Sequence, residues 1–554
     1  MDMKHRNINV KIGGNSIQVP RGTSIESIAK TCQVNHPSLI VAAKVNNQLR
    51  ELTGTLDEDC ELQFIDLSMD DGIRIYIRGL TFIFIRACRE LFPDCNVSIE
   101  HSMSKGLYCE VHGNFAMTPR QVSRIQERMK QIVELDEPFV KYRVSINEAK
   151  KIFEEMKFYD KLDILEYRPE DYVDLYRCGW MTDYLYGYMV PSTGYLKTFE
   201  LKFYLPGIII RYPLKETGRI PEFEDNPKLF RVFRESEKWS KTICVENVAQ
   251  LNNNIKNGRG GELIRICEAL HEKQIAKIAD EINSQRDRIR LVLIAGPSSS
   301  GKTTFAERLR IQLMVNGLNP IPISMDNYFF NREDIPVGED GQRDLESIDI
   351  IDIELFNEQL TRLIQGQEVE IPYYNFEKGK REYRGTKVKL GPDQLIIVEG
   401  IHGLNEKLTA MIPKANKFKI YISALTQLNV DSHNRIPTTD TRLIRRMIRD
   451  YKFRGSPIEE TLSMWPSVRR GEERNIFPFQ EQADVMFNSA LIYELAVLKP
   501  YILPLLEKFK EDHPFYTEVN RLKKFLKYFV ELEPDEIPNN SILREFIGGS
   551  CFHK

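Results

Sequence analysis

The stretch that most constrains this chain is Gly296-Pro297-Ser298-Ser299-Ser300-Gly301-Lys302-Thr303-Thr304, a fit to G-x-x-x-x-G-K-[ST]. An apolar run at 289–295 ends at its first glycine and predicts a buried parallel strand. Apolar positions 305, 309, 311, 313 and 314 then predict a helix. Strand, glycine loop and helix are the parts of a phosphate cradle. Backbone N–H groups and the helix N-terminus hold phosphates, Lys302 reaches the terminal ones, and Thr303 can ligate Mg²⁺. The region before residue 285 reads as appended to this site, and the region after it as built to serve it.

A length of 554 residues predicts about three or four domains. Basic and acidic residues balance at 77 against 80, so global charge gives no case for nucleic-acid or membrane binding. No apolar run approaches the roughly 18–20 residues of a membrane span. The polar N-terminus is followed by no signal-type region. Nine cysteines without a C-x-x-C pair point to neither a disulfide framework nor a zinc ribbon, and a cytoplasmic location with reduced thiols is expected.

Residues 1–67 alternate as short strands around a capping-box helix at Thr23-Ser-Ile-Glu26. In this ββαββ order they resemble the ubiquitin-like TGS module of threonyl-tRNA synthetases. Residues 68–225 predict a long helix over 75–92, a hairpin over 96–111, a helix from Thr118, and the run Tyr172 to Trp180. That order resembles the editing domain of threonyl- and alanyl-type synthetases, which hydrolyses mischarged tRNA at a metal held by H-x-x-x-H and C-x-x-x-H. Set against the family's Leu-aromatic-Pro turn (Leu91-Phe92-Pro93), the four ligand positions hold Arg78, Phe82, Tyr176 and Trp180. None of these is a usual zinc ligand, so no zinc is expected. Aromatic side chains are expected to fill the volume, and His101 and His112 to be surface or cap residues. Residues 226–288 predict a helical connector, broken at Asn252-Asn253-Asn254 and at Gly258-Arg259-Gly260-Gly261.

Beyond the glycine loop, Asp326 follows a short strand at 320–324, at the end that faces the ligand crevice in parallel α/β sheets. A carboxylate there can accept the proton of an attacking hydroxyl or simply cap a turn. The acidic run Asp344 to Asp352 would bind Mg²⁺ or sugar hydroxyls. Tyr373, Tyr374 and Phe376 would stack on a base or pack in a core. Glu399 ends a buried strand at the position of a metal-contacting carboxylate. Arg442, Arg445, Arg446 and Arg449 share one helix face, suited to phosphate or else solvated.

The motifs G-P-S-S-S-G-K-T-T, S-M-D-N-Y, I-P-Y-Y-N-F, V-E-G-I and D-T-R-L-I-R-R resemble the phosphoribulokinase/uridine kinase family. The resemblance implies that Asp326 is the base and Glu399 serves the metal. It further implies that Glu346 meets the ribose hydroxyls, Tyr374 faces the base, and Arg381, Arg442 and Arg445 lie on the phosphate and substrate side. The family's base-reading histidine falls on Gly379. The chain is thus expected to be a multidomain α+β and α/β protein: a TGS-like β-grasp module, an editing-like domain, a connector, and a P-loop nucleoside kinase over 289–554 using ATP and Mg²⁺. The rival expectation is an ATP-driven switch whose N-terminal half binds RNA or a protein. A kinase of another small alcohol is a third.

Overall fold

The computed structural model describes residues 7–335, 346–375, 377–426 and 428–552. Asp344 and Phe376, singled out above, lie outside the described residues.

The first layer is a five-stranded sheet, in spatial order Asn15–Pro20, Asn7–Ile12, Cys60–Asp66, Ile40–Val45 and Gln48–Glu51. Ile8 and Val10 point into its core while their neighbours face solvent, the period-2 pattern of a half-buried strand. Ser24 caps the helix Ile25–Gln33, its hydroxyl accepting from Ser27 N–H at 3.2 Å. The next unit packs the helices Asp70–Leu91 and Pro119–Glu134 against a four-stranded antiparallel sheet: Glu200–Tyr204, Gly207–Arg211, Gly106–His112 and Asn96–Met103. Thr118 and Gln121 form the reciprocal cap that opens the second helix.

Three helices connect this half to the rest: Pro227–Thr242, Val248–Lys256 and Gly260–Asn283. The expected break at Asn252-Asn253-Asn254 does not occur, because the middle helix runs through it. Asn252 is fully buried there, donating to Tyr528 O at 2.7 Å and accepting from Val530 N–H at 2.9 Å. A segment nearly 280 residues downstream satisfies the amide, and sequence propensity cannot register such a partner.

The C-terminal half is built on a five-stranded, all-parallel sheet. Its order is Ile321–Ser324, Ile396–Glu399, Leu291–Ala295, Lys417–Ser423 and Val485–Asn488. Leu291–Ala295 is fully buried, as a central strand covered on both faces should be. The helices Lys302–Val315 and Gly260–Asn283 pack on one side of it. Parallel sheets gather ligands at the carboxyl ends of their strands, so the crevice falls beyond Ala295, Ser324 and Glu399. No helix among the described residues is long and apolar enough to cross a membrane.

The two halves interlock. The hairpin Asn429–Asp431/Asn434–Arg435 leaves the parallel sheet and embeds in the N-terminal half. Ser432 O accepts from Ile99 N–H at 2.7 Å, and Asn434 bonds Tyr184 O and Tyr186 N–H. Beneath it, Lys161 lies 3.0 Å from both Asp183 and Asp431, and His433 Nδ1 lies 2.7 Å from Asp183. All four are buried. Each charge is paired, which a buried ion requires.

Candidate functional site

Gly301 takes φ +81°, a left-handed turn that costs a glycine nothing, and hands the chain to the helix Lys302–Val315. A Cβ at Gly301 would also overlap the Ile542 side chain. Lys302 Nζ donates to Pro297 O at 3.1 Å, folded back on its own loop. Ser324 pairs with Glu399 across adjacent parallel strands, and Asp326 follows in the turn Met325–Tyr328. Lys302, Thr303, Asp326 and Glu399 all keep part of their surface accessible, so they line a crevice rather than a core.

The electrostatics are those of unlike charges held close with little water. Burial pushes Glu399 up to about 7; Asp326 and Glu545 add to this, while Lys302 and the Thr303 hydroxyl oppose it. Asp326 is raised by burial against Lys302 and Arg454. Lys302 is lowered by burial, with Glu399 and Glu545 opposing. A carboxyl held near neutrality beside a second carboxylate and a threonine hydroxyl fits a hard cation with oxygen ligands, as Mg²⁺ is. Among the described residues no group of three or more His, Cys, Asp or Glu could hold a metal by itself.

Arg442 and Arg445 of the arginine face are turned into the protein, whereas Arg449 keeps some accessible surface within electrostatic reach of Lys302. In the helix Thr438–Phe453, Arg442 donates to Ser298 O at 2.9 Å and to Glu472. Arg445 meets Glu494 at 2.6 Å and donates to Ser489 O. Both side chains are fully buried, and Arg446 donates to Ser298 Oγ at 2.9 Å. The anions that relieve the like-charge repulsion are therefore the protein's own carboxylates, and the expectation that Arg442 and Arg445 present themselves to substrate is corrected to that extent. Glu472 accepts from Ser298 N–H at 3.0 Å as well. Sequence reasoning missed Glu472, Glu494 and Glu545. For Glu472 a signal was present in Arg469-Arg470-Gly471-Glu472, an i,i+3 counter-charge; for the other two there was none.

On the acceptor side, Tyr374 and Arg381 are register partners in a two-stranded hairpin. Tyr374 is buried, edge-on to Phe329, with its N–H on Asn327 Oδ1. Arg381 pairs with Asp352 at 2.9 Å. Glu346 packs over Gly471 and its carbonyl accepts from Asn475 at 2.9 Å, which sets it against the helix Ile458–Asn475. Gly379 has φ +65°, and a Cβ there would press on Arg332, whose N–H donates to Gly379 O at 2.7 Å. The arginine side chain occupies the space beside the glycine.

Of the four positions aligned with editing ligands, Arg78 and Tyr176 meet beside Gly187, and each of the four is engaged by the protein itself. Phe82 is buried, edge-on to Phe139 at 5.3 Å. Arg78 donates to Tyr188 O, and burial lowers it to about 10. Tyr176 bonds Glu51 and Gly187 O. Trp180, expected to fill the interior, is 47% exposed and donates to Glu90 at 2.8 Å. Arg86 fills that region instead, contacting Glu90, Glu137 and Cys178 Sγ. His112 is on the surface as expected. His101 is buried, stacked on Phe233 at 3.6 Å, because the connector helix Pro227–Thr242 covers its face of the hairpin.

Residues 291–494 match the phosphoribulokinase / uridine kinase family. The match supports a kinase of that superfamily, and the family implies ATP and Mg²⁺ as reactants. The N-terminal half is similar to threonyl-tRNA synthetases. The threonine–tRNA ligase of Symbiobacterium thermophilum is 30% identical over 189 residues, 34% of this chain and 29% of the ligase. That of Burkholderia ambifaria is 32% identical over 195 residues, 34% of this chain and 31% of the ligase. The chain thus spans less than a third of the length of these curated relatives. Among solved structures, a possible uridine kinase from Bacillus stearothermophilus aligns with 39% of this chain and 98% of its own, at 21% identity and a TM-score of 0.27.

Proposed function

We propose that the C-terminal half, residues 289–554, is an ATP-dependent kinase that phosphorylates the 5′-hydroxyl of a ribonucleoside. The observation that carries this reading is the crevice: Asp326 and Glu399 stand at the carboxyl ends of adjacent strands, within electrostatic reach of Lys302, and all three are recessed but accessible. The loop amides and Lys302 hold the triphosphate. Asp326 accepts the proton of the attacking hydroxyl as the phosphoryl group passes in line. Thr303 and Glu399 would hold Mg²⁺, which when bound neutralises charge building on the transferred group. Glu346 accepts from the ribose hydroxyls, and Tyr374 with Arg381 lines the acceptor side. With Gly379 in place of a histidine, a looser or shifted base preference is expected.

ATP turnover against a nucleoside panel, with products identified by mass, tests this directly. Nucleoside 5′-monophosphates are the expected products. Glu346→Ala should impair nucleoside use while sparing ATP binding, because a bonded hydroxyl loses its partner. Equal use of 2′,3′-dideoxynucleosides would remove the ribose assignment. A product phosphorylated on another small alcohol would change the acceptor.

A second reading is favoured by the embedded hairpin 429–435, which runs directly into the arginine helix around the glycine loop. In it, ATP sets the conformation of an N-terminal half (1–67 and 68–225) that binds RNA or a protein. ATP hydrolysis stimulated by tRNA, with no nucleoside product, is its signature.

A further inference from the structure

The segment after residue 494 lies outside the stretch that matches the kinase family, yet it touches the glycine loop. Ile542, Leu543, Phe546 and Ile547 are buried in the same core as Phe305 and Leu309 of the loop helix. Ile542 sits over Gly301, and Phe546 lies 5.0 Å from the Arg445 guanidinium. Arg544 donates to Pro534 O at 2.9 Å and Ile537 O at 2.8 Å, and Lys452 donates to Ile547 O at 2.6 Å. The backbone here is fixed from several sides. Between these anchors, Glu545 reaches the first turn of the loop helix. Its Oε2 accepts from Thr304 Oγ1 at 2.8 Å and from Thr304 N–H at 3.4 Å.

Thr304 is the third residue of that helix, counting from Lys302, and its N–H has no acceptor within the helix. Such donors, aided by the helix dipole, are where an anion binds. A glutamate carboxylate and a phosphate oxygen offer the same chemistry to the same two donors, and both cannot take them at once.

Resting on the reading of residues 296–304 as a nucleotide cradle, we propose that Glu545 is an internal competitor for the nucleotide: its carboxylate holds Thr304 in the empty enzyme and releases it to a phosphate of the incoming nucleoside triphosphate. Because the backbone around it is anchored, release needs only rotation of the Glu545 side chain. The competition lowers nucleotide affinity and speeds its departure. Glu545 also adds negative charge beside Glu399 and Lys302, so its departure from Thr304 alters the field at the transfer site.

The test uses the full chain and ATP as probe, by calorimetry and thermal unfolding. Glu545→Ala should bind ATP about 3- to 30-fold tighter than wild type, and Glu545→Gln, which keeps an acceptor without the charge, by a smaller factor. The Ala variant should also be less stable without ATP and gain a larger Tm rise on adding it. A purely structural glutamate would lower Tm equally with and without ATP. ATP affinity in Glu545→Ala that is unchanged within twofold, or weaker, overturns the proposal. Lys302→Ala separates this from the reading beneath it. If Lys302→Ala abolishes binding while Glu545→Ala changes nothing, only the competitor role fails. If binding survives Lys302→Ala, the nucleotide is not in this cradle and both fail.

Discussion

The crevice around Lys302 and the region around Phe82 both descend from residue patterns that resemble catalytic sites, and they differ in what surrounds the decisive side chains. Around Lys302, two carboxylates, a lysine and a threonine hydroxyl remain accessible at strand ends, and burial shifts both carboxyls up and the lysine down. Around Phe82, the aligned positions are used up: one ring packs in the core, one arginine bonds a backbone carbonyl, one tyrosine bonds Glu51, and one tryptophan faces solvent. Chemistry needs groups that are held yet unsatisfied until a ligand arrives, whereas satisfied groups contribute only stability. The two regions should therefore respond to mutation in opposite ways.

The largest effect belongs to Lys302→Ala. Losing the cation that faces the phosphates should cut phosphoryl transfer by on the order of 10³-fold or more, with Tm within a few degrees of wild type. Unchanged turnover breaks the comparison at its first limb. Phe82→Ala should do the reverse. A fully buried phenylalanine costs about 3–5 kcal/mol of stability when truncated, seen as a lower denaturant midpoint, while turnover per folded molecule stays within about twofold. A large loss of turnover in a folded Phe82→Ala protein would give the N-terminal half a part in the chemistry.

Asp326→Asn sharpens the first limb. Turnover should fall about 10²-fold with little change in ATP affinity, read from kcat and a separate binding isotherm. A fall of less than about threefold would move the base elsewhere. The smallest effect separates site chemistry from stability as pH falls. Burial, aided by the charges of Arg308 and Arg445, lowers His271 from 6.5 to about 3. The unfolded chain takes up this proton first, so stability is full above 6.5 and is lost as pH falls towards 3, by about 1.4 kcal/mol per unit. His271→Gln should flatten that slope in denaturant midpoints measured between pH 6.5 and 4.5. An unchanged slope would assign acid sensitivity to other groups.

The fold of the C-terminal half was legible because its signals are local. A buried strand, a loop with a left-handed glycine and a helix are adjacent in sequence, and three of the family motifs follow strands of the parallel sheet in chain order. The N-terminal resemblance was legible for the same reason, through capped helices and alternating strands. Legibility ended where partners are distant. Arg442 and Arg445 look like free phosphate ligands on a helical wheel, because Glu472 and Glu494 lie 30 and 49 residues away. His101 looks like a hairpin surface residue because the helix that buries it is more than 120 residues downstream.

By itself the sequence determined the strand, left-handed glycine turn and helix of the loop at 296–304, the parallel character of the C-terminal sheet, the two-part make-up of the chain and the residue types at 78, 82, 176 and 180. These follow from residue type and short-range spacing, which act before the chain is compact. The tertiary structure decided which charges face a ligand and which face each other, that Asn252 stays helical, that the hairpin 429–435 locks the halves together, and that Glu545 reaches Thr304 from 241 residues away. A buried charge or amide takes whatever partner the closed fold brings within about 3 Å, and no local pattern carries that information.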